Sequence, residues 1–141
     1  REQEQRRTHH VFDSFEGLSV PGMEDGDHWK AGNLTAAESV CTDNLKEFDF
    51  VKFYKGWIPA RFEDVKDLQF AFVHIDVDLY QPTLDSVQFF YYRMNKGAVM
   101  ICDDYGFVTC PGARQAMDDF FMNKPEKLVM LTTGQAFVIK K

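Results

Sequence analysis

No apolar run in this chain approaches the ~18 residues that a membrane helix needs. The opening Arg1-Glu2-Gln3-Glu4-Gln5-Arg6-Arg7 also lacks the apolar segment of a signal peptide. Both absences argue for a soluble, cytoplasmic protein with no membrane partner. Positive charge is short as well, with 16 Lys and Arg against 22 Asp and Glu, a net charge of −6. The acids are spread along the chain, which excludes the basic stripe of a nucleic-acid or anionic-membrane binder. Cysteine is scarce. Cys41, Cys102 and Cys110 are odd in number and have no Cys-x-x-Cys spacing, so neither a disulfide framework nor a zinc site is indicated. Free thiols in a reducing compartment fit this usage. There is no internal repeat, and no low-complexity stretch beyond the polar first eight residues.

What the chain does have is buriable surface. Apolar residues make up 45% and aromatics 15%, with 14 Phe, and 141 residues suit a single domain over 1–141. A short strand ends in an acid at His10-Val11-Phe12-Asp13, and an 18-residue Gly-rich connection from Glu16 to Asn33 follows. A connection of that length often forms a lid or binding loop. Thr35-Ala36-Ala37-Glu38 has the form of a capping box, with Ala37, Cys41, Leu45 and Phe48 at helical spacing, which predicts a helix over 36–47.

Phe50 to Tyr54 reads as a second strand, and a short helical piece is expected over 61–68. The apolar run Phe70 to Ile75 reads as a strand covered on both faces. Pro82 suits a helix's first turn, with Leu84, Val87, Tyr91 and Met94 as its inner stripe and Gly97 as its closing cap. Ala98 to Cys102 is another apolar strand. A further helix should bury Ala113, Ala116, Met117, Phe120 and Phe121, and a hairpin over 127–140 ends the chain. Strands alternating with helices predict an α/β fold with a mostly parallel sheet.

Ligands of such sheets bind outside the carboxyl ends of the strands. Three strands here end in acids: Asp13, then Asp76 with Asp78, then Asp103 with Asp104. If the last two strands are neighbours, Asp76, Asp103 and Asp104 converge, and their repulsion calls for a hard divalent cation such as Mg²⁺. Asp78, two residues past its strand, is expected to turn away and cap the next helix. Asp13 either binds the ribose hydroxyls of an adenosine cofactor or caps the Ser14-Phe15 turn. His74 reads as a core histidine, His28 and Trp29 as loop residues able to cover a ligand, and Arg114 as a partner of the acids or of a surface neighbour.

Five segments in order, Val11-Phe12-Asp13-Ser14-Phe15-Glu16-Gly17-Leu18, Lys55-Gly56-Trp57-Ile58-Pro59, His74-Ile75-Asp76-Val77-Asp78-Leu79-Tyr80, Asp103-Asp104-Tyr105-Gly106 and Gly112-Ala113-Arg114-Gln115-Ala116, resemble the macrocin O-methyltransferase family. The resemblance implies a Rossmann-like class I methyltransferase fold using S-adenosylmethionine and Mg²⁺, with a sugar or natural-product hydroxyl as acceptor. It assigns Asp76, Asp103 and Asp104 to the metal. Asp13, with Ser14 and Phe15, goes to the methyl donor, and Asp76 also to the acceptor's proton. Val77 stands where the family usually has glycine.

The family's first strand and Gly-rich cofactor turn have no counterpart, and residues 1–8 look like the end of the helix that follows them. The expectation is an N-terminally truncated domain. Its gap would be filled by pairing of the Val11 strand with the Phe72 strand or by self-association, and its donor binding would be weakened. A folded fragment that keeps the metal site without catalysing transfer is the alternative. A haloacid-dehalogenase-like phosphatase, which also pairs a strand-end Asp-x-Asp with a later acidic pair, fits less well because Tyr80 stands where Thr or Val is wanted.

Overall fold

In the computed structural model, residues 7–141 are described. The helix end expected over 1–8 falls mostly on residues 1–6, outside the described residues. The chain runs through β1 (His9–Asp13), α1 (Glu38–Leu45), β2 (Val51–Lys55), β3 (Phe70–Ile75) and α2 (Tyr80–Tyr91). It continues through β4 (Met94–Cys102), α3 (Pro111–Phe121), β5 (Val129–Met130) and β6 (Ala136–Ile139). Short 3-10 turns lie at Met23–Asp25 and Ala60–Val65.

Two sheets form. β1 and β2 pair in parallel, from His9 opposite Val51 to Asp13 opposite Lys55. The other sheet has the order β3-β4-β6-β5, parallel between β3 and β4 and antiparallel beyond. Alternation along its strands puts Val73, Ile75, Met100, Cys102, Ala136 and Val138 on one face. All are buried in one cluster with Val87 and Tyr91 of α2 and Ala113, Met117 and Phe121 of α3. Fully burying a side chain such as Val87, Met100 or Met117 is worth roughly 1.5–3 kcal/mol, so this layer dominates the fold.

The opposite face is open among the described residues. Phe72 and Ile139 are 52% and 53% exposed, and His74 is exposed beside them. The run Phe70–Ile75 is therefore covered on one face, not two, and His74 is not a core histidine. The apolar residues of both faces make the sequence continuous, and continuity alone does not say which face is covered.

β1 and β3 do not pair, so direct joining of the Val11 and Phe72 strands is not how this sheet is completed. β1 meets the core through Phe12, whose ring lies 5.4 Å from Phe62 and 6.1 Å from Phe90. Other expectations also shift. Gly97 does not close α2, which ends at Tyr91; it lies within β4, where the register against β3 slips between Phe70 and Phe72. The capping box does not form, because the Thr35 hydroxyl donates to the Gly32 and Glu16 carbonyls while Glu38 pairs with Lys55 at 2.7 Å. Helix α1 buries no residue fully: Cys41 and Leu45 of its expected apolar stripe are half-buried and Phe48 is exposed.

Candidate active site

Register builds the acidic cluster. Ile75 is opposite Cys102, and one step further the Asp103 amide donates to the Ile75 carbonyl at 2.8 Å. That single parallel pairing sets Asp76 beside Asp103 and Asp104. Oxygens of the three carboxylates lie within 4.8 Å of one another, with Asp76 exposed, Asp103 half-buried and Asp104 buried. Burial pushes the Asp104 carboxyl up to about 6, and the neighbouring Asp78 and Asp76 charges add to it, while the amides of Asp78 and Val77 act in the opposite sense. Those amides donate to Asp104 Oδ2 at 2.9 and 3.2 Å. Asp76 is also raised, first by burial and then by the Asp103 charge.

Hard oxygen donors so placed suit a divalent cation. Asp76, Asp103 and Asp104, the three acids expected to hold the metal, are thus brought together. Asp78 behaves otherwise than expected. It sits at φ +59 and caps no helix; its carboxylate accepts from the Cys110 thiol at 3.6 Å. The acceptor to which α2's first amide turns is Asp25, from the long loop: Tyr80 N donates to Asp25 Oδ1 at 2.6 Å.

Asp103 has two neighbours that the sequence did not mark. Gln135 Nε2 donates to Asp103 Oδ1 at 3.0 Å, and His74 Nε2 is 3.4 Å from the same oxygen. His74 reaches it because it lies one residue before Ile75 on the open face, opposite Ile101. Arg114 does not join the acids. It pairs with Asp118 at 3.7 Å and lies over the Tyr105 ring, a surface pairing.

Asp13 ends β1 opposite Lys55, and its Oδ1 accepts the Phe15 amide at 2.7 Å. The turn-capping reading is therefore realised through one oxygen. Ser14 is buried, donating to the Gly17 carbonyl and accepting the Glu16 amide. Gly17, at φ +81, is where a side chain is excluded, since a Cβ there would fall 2.4 Å from the Asn33 carbonyl oxygen. An open depression beside this turn is lined by Glu16, Leu18, Val20, Gly32 and Trp57. Among the described residues no helix is long and apolar enough to cross a membrane, and the three cysteines are free.

Comparison with known proteins follows the same lines. The chain is 29% identical over 125 residues to the demethyldecarbamoylnovobiocin O-methyltransferase of Streptomyces niveus, covering 81% of this chain and 47% of that protein. It is 27% identical over 121 residues to the 8-demethyl-8-(2,3-dimethoxy-alpha-L-rhamnosyl)-tetracenomycin-C 4'-O-methyltransferase of Streptomyces olivaceus, covering 78% and 45%. The chain thus spans about half the length of these relatives. Its fold matches that of the O-methyltransferase NovP with a TM-score of 0.74 at 24% identity, over 98% of this chain and 62% of that one. It also matches the calicheamicin methyltransferase CalS11 with a TM-score of 0.78 at 21% identity, over 94% and 60%. The α/β fold expected from the sequence is the one these two methyltransferases share. A family model matches residues 1–130, and by that match the chain belongs to the Macrocin-O-methyltransferase (TylF) family.

Proposed function

We propose that this chain is the part of an S-adenosylmethionine-dependent O-methyltransferase that holds a divalent cation, Mg²⁺ by its ligand chemistry, and positions a hydroxyl of a sugar or glycosylated natural product. One observation carries the reading: the oxygens of Asp76, Asp103 and Asp104 meet within 4.8 Å at the carboxyl ends of two paired strands. Those three residues would hold the cation, whose chemistry when bound is to stabilise negative charge on an acceptor oxygen. Asp76, exposed and with a raised affinity for protons, takes the proton of the acceptor hydroxyl. Asp103, steadied by Gln135 and His74, and Asp104, steadied by two backbone amides, keep the cluster rigid while the acceptor is oriented. Asp13, with Ser14 and Phe15 shaping its turn, offers its second carboxylate oxygen to the donor ribose.

Titration calorimetry with Mg²⁺ tests the reading. Replacing Asp103 and Asp104 together by Asn should weaken binding at least about tenfold, or ~1.4 kcal/mol, and a chelator should abolish methyl transfer. Unchanged metal affinity in the double variant would sink it. A second reading, a folded unit that keeps the metal site without catalysing transfer alone, is favoured by the lack of pairing between β1 and β3, which leaves Asp13 and the acids in separate sheets. Donor binding, titrated in the same cell, separates the two.

A further inference from the structure

The connection between β1 and α1 is closed on itself. At its neck the Leu18 amide donates to the Asn33 carbonyl at 2.8 Å and the Gly32 amide to the Leu18 carbonyl at 2.9 Å. Its middle is held by one buried side chain, Asp25, 3% exposed. Asp25 Oδ2 accepts the Gly22 amide at 2.7 Å, a bond that shapes the loop. Asp25 Oδ1 accepts the Tyr80 amide at 2.6 Å, a bond that fastens the loop to the first residue of α2.

A buried carboxylate is costly unless its oxygens are satisfied, and here each has a backbone amide, one of them at a helix start where negative charge is favoured. Space for it comes from Gly112, since a Cβ there would lie 1.9 Å from Asp25 Oδ1. Residues following Asp25 then cover the Cys110–Gly112 segment. A Cβ on Gly26 would touch the Pro111 ring at 3.7 Å, and Trp29 packs against the buried cluster that includes Cys110, its Nε1 buried without a hydrogen-bond partner among the described residues. Cys110, 3% exposed, in turn contacts Asp78, which shares the Asp104 side of the acidic cluster.

We propose that Asp25 is a positioning residue, a clasp that keeps the loop shut over Cys110 and the Asp78 edge of the acidic site. What the clasp serves rests on the function proposed above; whether it exists does not. Its test therefore uses neither donor, acceptor nor metal.

The chain carries its own reporters. Cys110 lies under the loop, Cys102 lies in the core between sheet and helices, and Cys41 lies half-buried on α1. Iodoacetamide labelling, read at each cysteine by peptide mass, should be slow at Cys110 and Cys102 in the unaltered chain. Asp25→Ala should speed labelling of Cys110 at least about tenfold by local opening, with Cys102 unchanged. Gly112→Ala, which pushes the carboxylate away without removing it, should do the same. Asp25→Asn keeps the size and one acceptor oxygen and should give an intermediate rate; it decides the case if the larger changes prevent folding.

Cys110 labelling no faster than in the unaltered chain, or Cys102 accelerating in step with Cys110 in Asp25→Asn, overturns the clasp. Absence of Mg²⁺ binding, measured separately, counts against the metal reading and leaves the labelling result standing.

Discussion

Asp104 is the residue at which burial and charge conflict most sharply, and the conflict has a pH signature. Its folded-state value of about 6 lies above the ordinary 3.8, so the folded chain binds this proton more tightly than the unfolded chain does. The stabilisation that this provides is fully present below about pH 4 and is lost as pH rises through 6. Without divalent ions the chain is therefore expected to lose up to ~3 kcal/mol between about pH 4 and pH 7. Asp104→Asn, which keeps an acceptor for the Asp78 and Val77 amides, should flatten that limb and be the more stable protein at neutral pH. Urea midpoints in a chelator across this range measure it. A variant whose midpoints track those of the unaltered chain would show that the strain lies elsewhere. Restoring Mg²⁺ at neutral pH should stabilise the unaltered chain and leave the variant where it was.

Among the elements, the last strand is tied down by a device unlike the acidic cluster. Glu126 is 1% exposed and accepts the Tyr91 hydroxyl at 2.7 Å, the Lys141 amide at 3.0 Å and Lys140 Nζ at 3.2 Å. Burial alone would raise its carboxyl, but these donors outweigh burial and hold it at about 2. With a folded value below the ordinary 4.5, its stabilisation is present above pH 4.5 and is lost as pH falls through 2. Glu126→Gln should cost on the order of 1–3 kcal/mol at neutral pH through its unmade bonds and remove most of the dependence between those two values. Thermal melts at pH 7 and pH 3 check this, and a variant that loses as much stability at pH 3 as at pH 7 contradicts it.

Such contacts mark how far the sequence could be read. The apolar runs of β3 and β4 and the strand-end acids Asp76, Asp103 and Asp104 were legible because hydrophobic spacing and turn position are local. Asp25 and Gln135 were not. An acid in a Gly-rich loop and an amide in a hairpin turn look the same whether they face water or fold back on partners 55 and 32 positions away. Thr35 departs from its expected role for a related reason: its hydroxyl has a nearer use in closing the loop neck than in capping α1.

At the scale of the whole molecule, the two proposed halves of the site sit on units of unequal support. The acids stand on the four-stranded sheet, whose inner face is filled by two helices. Asp13 stands on the pair β1 and β2, which reaches the core chiefly through Phe12 and is flanked by a helix with no fully buried residue. A two-stranded sheet is marginal by itself, and local opening follows the lowest density of buried contacts. The paired amides of β1 and β2 should therefore exchange with solvent through a sub-global opening at least about 2 kcal/mol below that of β3, β4 and β6, roughly thirtyfold faster. Asp25 links the units through the loop, so Asp25→Ala should widen the difference by freeing β1 and β2 and leave the amides of Met100 and Val138 unmoved. Native-state hydrogen exchange resolves this residue by residue. Equal protection across all paired strands would mean that the molecule opens as one unit and that Asp13 is as firmly held as the acids.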